Sequence, residues 1–178
     1  IIVSLFVVAS SYEFMKKEPN FPQYYSFLLF STAGMILIAF SQDLLMLFIA
    51  WELMTLPTFV LVGFNKKDTL SNEASIKYFI LATLSTGVLL YGISLIYGLT
   101  GSLNIYNIFN SLKLDPLAFL ATSLLIAGFG LKMAIVPFHM WIPDAYEGAP
   151  TTVSAFLAAG TKKAGFVAAL RVFLIALS

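Results

Sequence analysis

From Leu44 to Phe64 the chain reads LLMLFIAWELMTLPTFVLVGF, with Glu52 as its single charge. A transmembrane helix needs about 20 predominantly apolar residues at 1.5 Å each, and this run has that length. Asp43, immediately before it, is a residue type that caps helix N-termini. Glu52 then lies about 14 Å along the helix, near mid-membrane. Pro57 withdraws a backbone donor and frees a carbonyl near position 53. Water that reaches that carbonyl also reaches Glu52. The run therefore predicts a spanning helix with a hydrated charge at its middle.

The whole chain agrees with this reading. Of its 178 residues, 60% are apolar and 11% charged, and the mean hydropathy is +0.92. A soluble domain carries about a quarter charged residues, so a soluble globular enzyme is excluded. The composition implies a polytopic membrane protein whose first partner is the lipid bilayer. A formal net charge of +1 gives no argument for a nucleic-acid partner. With no Cys and one His, the chain offers no disulfide, no cysteine-ligated cluster, no Cys-based zinc site and no bis-His haem. No cofactor or metal is expected in this chain. It begins and closes within apolar runs and lacks a signal-peptide pattern, and it reads as a piece of a longer protein.

Charges and Pro/Gly/Asn clusters punctuate the sequence into six segments. The first runs from Ile1 to about Tyr12, and the second from about Phe21 to Gln42. The third is the run quoted above. The fourth begins near Ser71-Asn72-Glu73 and ends at Gly98–Gly101. The fifth follows Asp115-Pro116 and reaches about Trp141. The sixth follows Pro150. Leu103–Leu112 reads as a short interfacial helix or loop. Lys16, Lys17, Lys66 and Lys67 fall in loops of one side, with Lys113 on the other. Positive charge marks the cytoplasmic side, which puts the loops around positions 16–20, 65–68 and 142–150 there.

Four ionisable residues remain inside spans: Glu52, Lys132, Lys162 and Lys163. Facing lipid, they would cost on the order of 10 kcal/mol together, so they must face protein, water or one another. Lys132 precedes Pro137 by five residues and repeats the device at Glu52, a charge beside a helix break. Broken helices are tolerated where they line protein or water-filled cavities. Burial disfavours the charged form of either group and an opposite charge favours it. A Glu–Lys pair in wet interior is thus poised between ionised and neutral forms, with a further lysine able to pass a proton on. An inert ionic clamp between helices has the same composition. Charges snorkelling to an interface are a third reading.

Around these residues the sequence resembles the antiporter-like membrane subunits of respiratory complex I, most closely the subunit N (organellar subunit 2) family. Three stretches carry the likeness: Leu44–Phe64 with its Trp51–Pro57 motif, Ser71–Gly101 with Ala74-Ser75-Ile76-Lys77-Tyr78-Phe79, and KMAIVPFHMWIPDAYEGAPTTVSAFLAAGTK from Lys132 to Lys162. The resemblance implies an all-α polytopic membrane bundle. Residues 1–20 would be the end of a preceding helix and a cytoplasmic loop. Residues 21–178 would be one five-helix proton-channel repeat with a discontinuous helix, a second repeat lying outside this chain. It further implies a proton relay through Glu52, Lys132 and Lys162, coupled to electron transfer in partner subunits. Quinone and redox centres would belong to those membrane and peripheral partners of an NADH-quinone oxidoreductase. The expected location is the plasma membrane of a prokaryote or an organellar inner membrane. A monovalent cation/proton antiporter, or a ferredoxin- or deazaflavin-dependent relative, is the alternative function. A purely structural scaffold is the non-transport one.

Lesser candidates have plainer readings beside the sharper ones. His139 suits a proton-loading or gating role, and its aromatic flanks equally suit an interfacial belt. Lys77 either pairs with Glu73 at the membrane edge or tunes Glu52 from a neighbouring helix. Asp144 and Glu147 are expected to cap the turn before the last helix, or to gather protons at an entrance. Lys163 departs from the apolar residue usual at its place in the family. Gly128-Phe129-Gly130 lies inside a span and is no dinucleotide fingerprint. The aromatic residues are expected to be mostly lipid-facing and interfacial.

Overall fold

A computed structural model describes residues 1–112 and 115–177, so Lys113 lies outside the described residues. All regular structure in them is helical. In chain order the helices are α1 (Ile2–Met15), α2 (Phe21–Phe40), α3 (Leu44–Val62), α4 (Thr69–Thr100), α5 (Ile105–Ser111), α6 (Pro116–Met133) and α7 (Ile142–Gly148). A last helix follows as α8 (Thr151–Phe156), a π-helical turn at Leu157–Thr161, and α9 (Lys162–Leu177). Among the described residues, α2, α3, α4, α6 and Thr151–Leu174 are long and apolar enough to cross a membrane, and α1 is a shorter apolar helix.

The helix starts follow from their caps. Asp43, Asp68 and Asp115 accept from the backbone N–H of Met46, Leu70 and Ala118, each relieving an unpaired donor of a first turn. Pro116 adds a preset φ at the start of α6. Gly101 ends α4 in the left-handed conformation, at φ 66°, as glycine C-caps do. The expected short helix at Leu103–Leu112 is α5. Leu44 N–H donates to Leu103 O and Ile105 N–H to Gln42 O, so the α2–α3 turn and the α5 loop share one end of the bundle.

The fifth predicted segment needs correction. α6 stops at Met133, well short of Trp141. Ala134 takes the left-handed conformation at φ 58°, and 134–141 is irregular before α7 begins. Pro137 disfavours helix at Val136, and the apolar run conceals the break. Two carbonyls of the last turn of α6 are nevertheless satisfied: Ile135 N–H donates to Gly130 O, and Trp141 Nε1 donates to Leu131 O at 3.1 Å.

In lipid the hydrophobic effect does not draw helices together, so close packing and hydrogen bonds must. α6 lies most extensively on α4, and α2 on α3. Gly128 makes the first contact possible: a Cβ there would sit 2.8 Å from Leu89 Cβ. One helical turn before Leu89, Ser85 Oγ donates to Gly128 O at 2.9 Å and fixes how α4 and α6 slide on each other. Two hydrophobic clusters result, one containing Trp51, Leu89 and Phe129, the other Tyr24, Tyr78, Trp141 and Phe156. Some aromatic side chains, such as Trp51, Phe129 and Phe156, are thus interior, while a larger number, Phe6, Phe40 and Phe119 among them, are exposed on the outside of the bundle. Edge-to-face pairs such as Trp51–Phe129 and Phe59–Tyr78 hold the interior ones.

Candidate functional site

Glu52 projects from the middle of α3 and Lys132 from the last turn of α6. Lys132 Nζ donates to Glu52 Oε1 at 2.8 Å. The lysine side chain is 2% exposed and the glutamate 21%, so the cation is sealed in while the carboxylate keeps a path to its surroundings. Lys132 also sits where the unpaired carbonyls of a helix end make the local potential negative, which favours a cation. The ring centroid of Trp51 is 5.7 Å from its ammonium, within cation–π range.

Thr86 of α4 joins the pair. Its Oγ1 accepts from Lys132 Nζ at 3.0 Å and is 3.0 Å from Glu52 Oε1, to which it donates. Nothing in the sequence marks this threonine. Beside Lys132, Thr55, Thr58, Tyr78, Trp141 and Thr161 border a recess of about 20 Å³. That is room for about one water molecule, and its mainly apolar wall includes four hydroxyl-bearing residues.

The recess leads towards the third relay candidate without reaching it. Lys162 opens α9 immediately after the π-helical turn, and its ammonium lies 4.8 Å from the Tyr146 ring centroid and 6.0 Å from that of Trp141. Trp141 therefore borders both the recess and Lys162. It is buried and stacks on Tyr78 at 4.7 Å, so this aromatic neighbour of His139 lies in the interior. Lys163 is exposed on another face of α9, as adjacent helical positions require.

The structure brings Glu52 and Lys132 into contact and leaves the other candidates apart from them. Lys77 pairs with Glu73 at 2.7 Å and with Asp144 at 3.3 Å. Asp144 thus ties α7 to α4 and does not cap the last helix, whose first residues follow Pro150 without a side-chain cap. His139 is exposed in the irregular segment between α6 and α7. Arg171 also lies within the last span, and a lone arginine in an apolar run is a visible signal. Its Nη1 donates to Ile38 O and Ala39 O at the end of α2, a favourable place for a cation.

Residues 41–178 match the family described as NADH:quinone oxidoreductase/Mrp antiporter, TM. The chain is 46% identical to F(420)H(2) dehydrogenase subunit N of Methanosarcina mazei, over 99% of this chain and 36% of that protein. It is 44% identical to NADH-quinone oxidoreductase subunit N of Heliobacterium modesticaldum, over 98% of this chain and 37% of the relative. A chain of respiratory complex I from Thermus thermophilus superposes with a TM-score of 0.77 at 40% identity, covering 84% of this chain and 34% of the other. The chain spans just over a third of the length of the curated relatives it matches.

Proposed function

Because the chain belongs to the NADH:quinone oxidoreductase/Mrp antiporter transmembrane family, we propose that it is part of a proton-translocating membrane subunit of a complex I-type oxidoreductase. Protons load from the cytoplasmic side and pass through Glu52, Lys132 and Lys162 by way of water. Electron transfer in partner subunits, which hold the quinone and redox centres, drives them by shifting the charge state of the Glu52–Lys132 pair. The observation that carries this reading is the 2.8 Å contact between Glu52 and an almost fully buried Lys132 at a helix end inside the membrane. A clamp needs only the ion pair. The recess bordered by Lys132 and by Thr161, the residue before Lys162, adds what a clamp does not need, room for about one water molecule beside the pair. The same chemistry fits a monovalent cation/proton antiporter, the other activity in the family's description, and a relative fed by another electron donor. Sodium dependence of transport separates the antiporter from the proton pump.

The test is proton uptake into inverted membrane vesicles driven by the native electron donor, with the full-length protein in its assembled complex. Glu52→Gln and Lys132→Ala should each lower the protons moved per electron about tenfold or more, the range of a lost acid–base group. Wild-type stoichiometry in both assembled variants would make the pair structural and end this reading.

A further inference from the structure

Thr86 meets three partners with one proton. Its hydroxyl lies 3.0 Å from Glu52 Oε1 and 3.0 Å from Ala82 O, both acceptors, and it accepts from Lys132 Nζ at 3.0 Å. A hydroxyl donates one hydrogen bond at a time and keeps lone pairs to accept others. The two acceptors therefore compete for the same O–H. The carbonyl of Ala82 is the partner that any helical threonine finds one turn back. The carboxylate is the exceptional one, and a charged acceptor binds the donor more strongly than a neutral carbonyl does.

We infer that Thr86 is a positioning residue for the Glu52–Lys132 pair, a hydroxyl rotor that holds the pair ionised and turns away when the proton crosses. While Glu52 is a carboxylate and Lys132 an ammonium, the O–H points to Glu52 Oε1 and a lone pair receives a lysine N–H. The proton then moves from Nζ to Oε1: one N–H bond breaks, one O–H bond forms, and a neutral amine and a neutral acid result. The carboxylate that held the Thr86 proton is gone, and the O–H turns to Ala82 O. The freed lone pair accepts from the new carboxylic acid. Thr86 thus weights the two states of the pair without carrying the proton.

Geometry supports the assignment beyond the three distances. Ser85, the neighbour of Thr86, is locked to Gly128 O, and Gly128 stands one helical turn before Lys132. The α4–α6 contact that glycine permits is therefore the contact that delivers Thr86 to the lysine. The inference rests on the relay reading and concerns its equilibrium.

The experiment uses the full-length protein in its complex, as wild type, Thr86→Val, Thr86→Ser and Glu52→Gln. Infrared spectra of the vesicles report the protonated-carboxyl C=O band, assigned to Glu52 by its loss in Glu52→Gln, and proton uptake per electron is measured alongside. A hydrogen bond to a charged group corresponds to about a tenfold change in such an equilibrium. Thr86→Val should thus raise the protonated Glu52 population about tenfold and lower uptake, and Thr86→Ser should restore both. An unchanged band in assembled Thr86→Val, or no recovery in Thr86→Ser, overturns the inference. Undiminished uptake in Glu52→Gln would instead overturn the relay, and the band alone would then decide the role of Thr86.

Discussion

At the scale of residues, the two adjacent lysines at the start of α9 stand in different surroundings, one helical step apart. Lys162 is half-buried with Tyr146 and Trp141 beside its ammonium, whereas Lys163 is exposed on another face. The aromatic rings offer the charged lysine a partial substitute for water without consuming its protons in hydrogen bonds, which leaves it able to exchange them. Lys162→Leu is accordingly expected to lower donor-driven proton uptake about tenfold or more, while Lys163→Leu stays within about twofold, in the range of ordinary surface changes. Uptake measured on both assembled variants checks the contrast, and equal losses would remove the distinction. The sequence supplied the candidates here: a glutamate and lysines stranded in apolar runs are conspicuous because each is costly in lipid. It could not supply Thr86 or Tyr78, since a hydroxyl inside a helix costs little and is satisfied by its own backbone. What makes Thr86 distinctive is a neighbour brought in by another helix.

At the scale of elements, the α4–α6 pair is the frame of the site, and Gly128 is its closest point. A methyl group there would press 2.8 Å from Leu89 Cβ and 2.9 Å from Leu89 Cα, and backbone cannot step aside as a flexible side-chain end can. Gly128→Ala should destabilise the bundle by about 1–3 kcal/mol, as overpacking does. It should also lengthen the Ser85 hydrogen bond and misplace Thr86. Thermal unfolding of the purified complex, with uptake per electron measured on the intact fraction, tests both effects. An unaltered melting temperature would mean that the helices close the gap by other means. The spans themselves were legible, because Asp caps, a proline at a first helical position and apolar runs of span length are all local signals. The end of α6 was not. Residues 134–141 remain apolar, and the left-handed turn falls on Ala134 where a sequence would advertise glycine. Pro137 signals a break without saying that the helix has already stopped at Met133. The tertiary reason is Trp141, whose indole N–H caps Leu131 O from across the loop, a partnership no local pattern encodes.

At the scale of the molecule, charge is distributed unevenly between the two ends of the bundle. The turns at 16–20 and 63–68 and the α7–α8 junction border one shared recess, which includes Glu18, Asn65 and Ala149, so Lys16, Lys17, Lys66 and Lys67 lie at one end. Among the described residues, the opposite end carries Asp43 and Asp115, with Arg171 turned inward onto α2 carbonyls. Lysine and arginine in short loops set orientation, so the lysine-rich end should face the cytoplasm. The exposed Lys77–Glu73–Asp144 ion pairs then stand on the cytoplasmic half, in front of Glu52 and Lys132. The complete lack of cysteine makes the orientation open to a direct test, because one introduced thiol is the only one in this segment. Asn65→Cys should react with a membrane-impermeant maleimide in inverted vesicles and be shielded in right-side-out ones. Asn107→Cys, on α5 at the other end, should show the opposite pattern. Reaction in the reverse sense at both positions would mean that the Glu52 side of the pair is loaded from outside the cell, and the direction assigned to proton movement would have to be reversed with it.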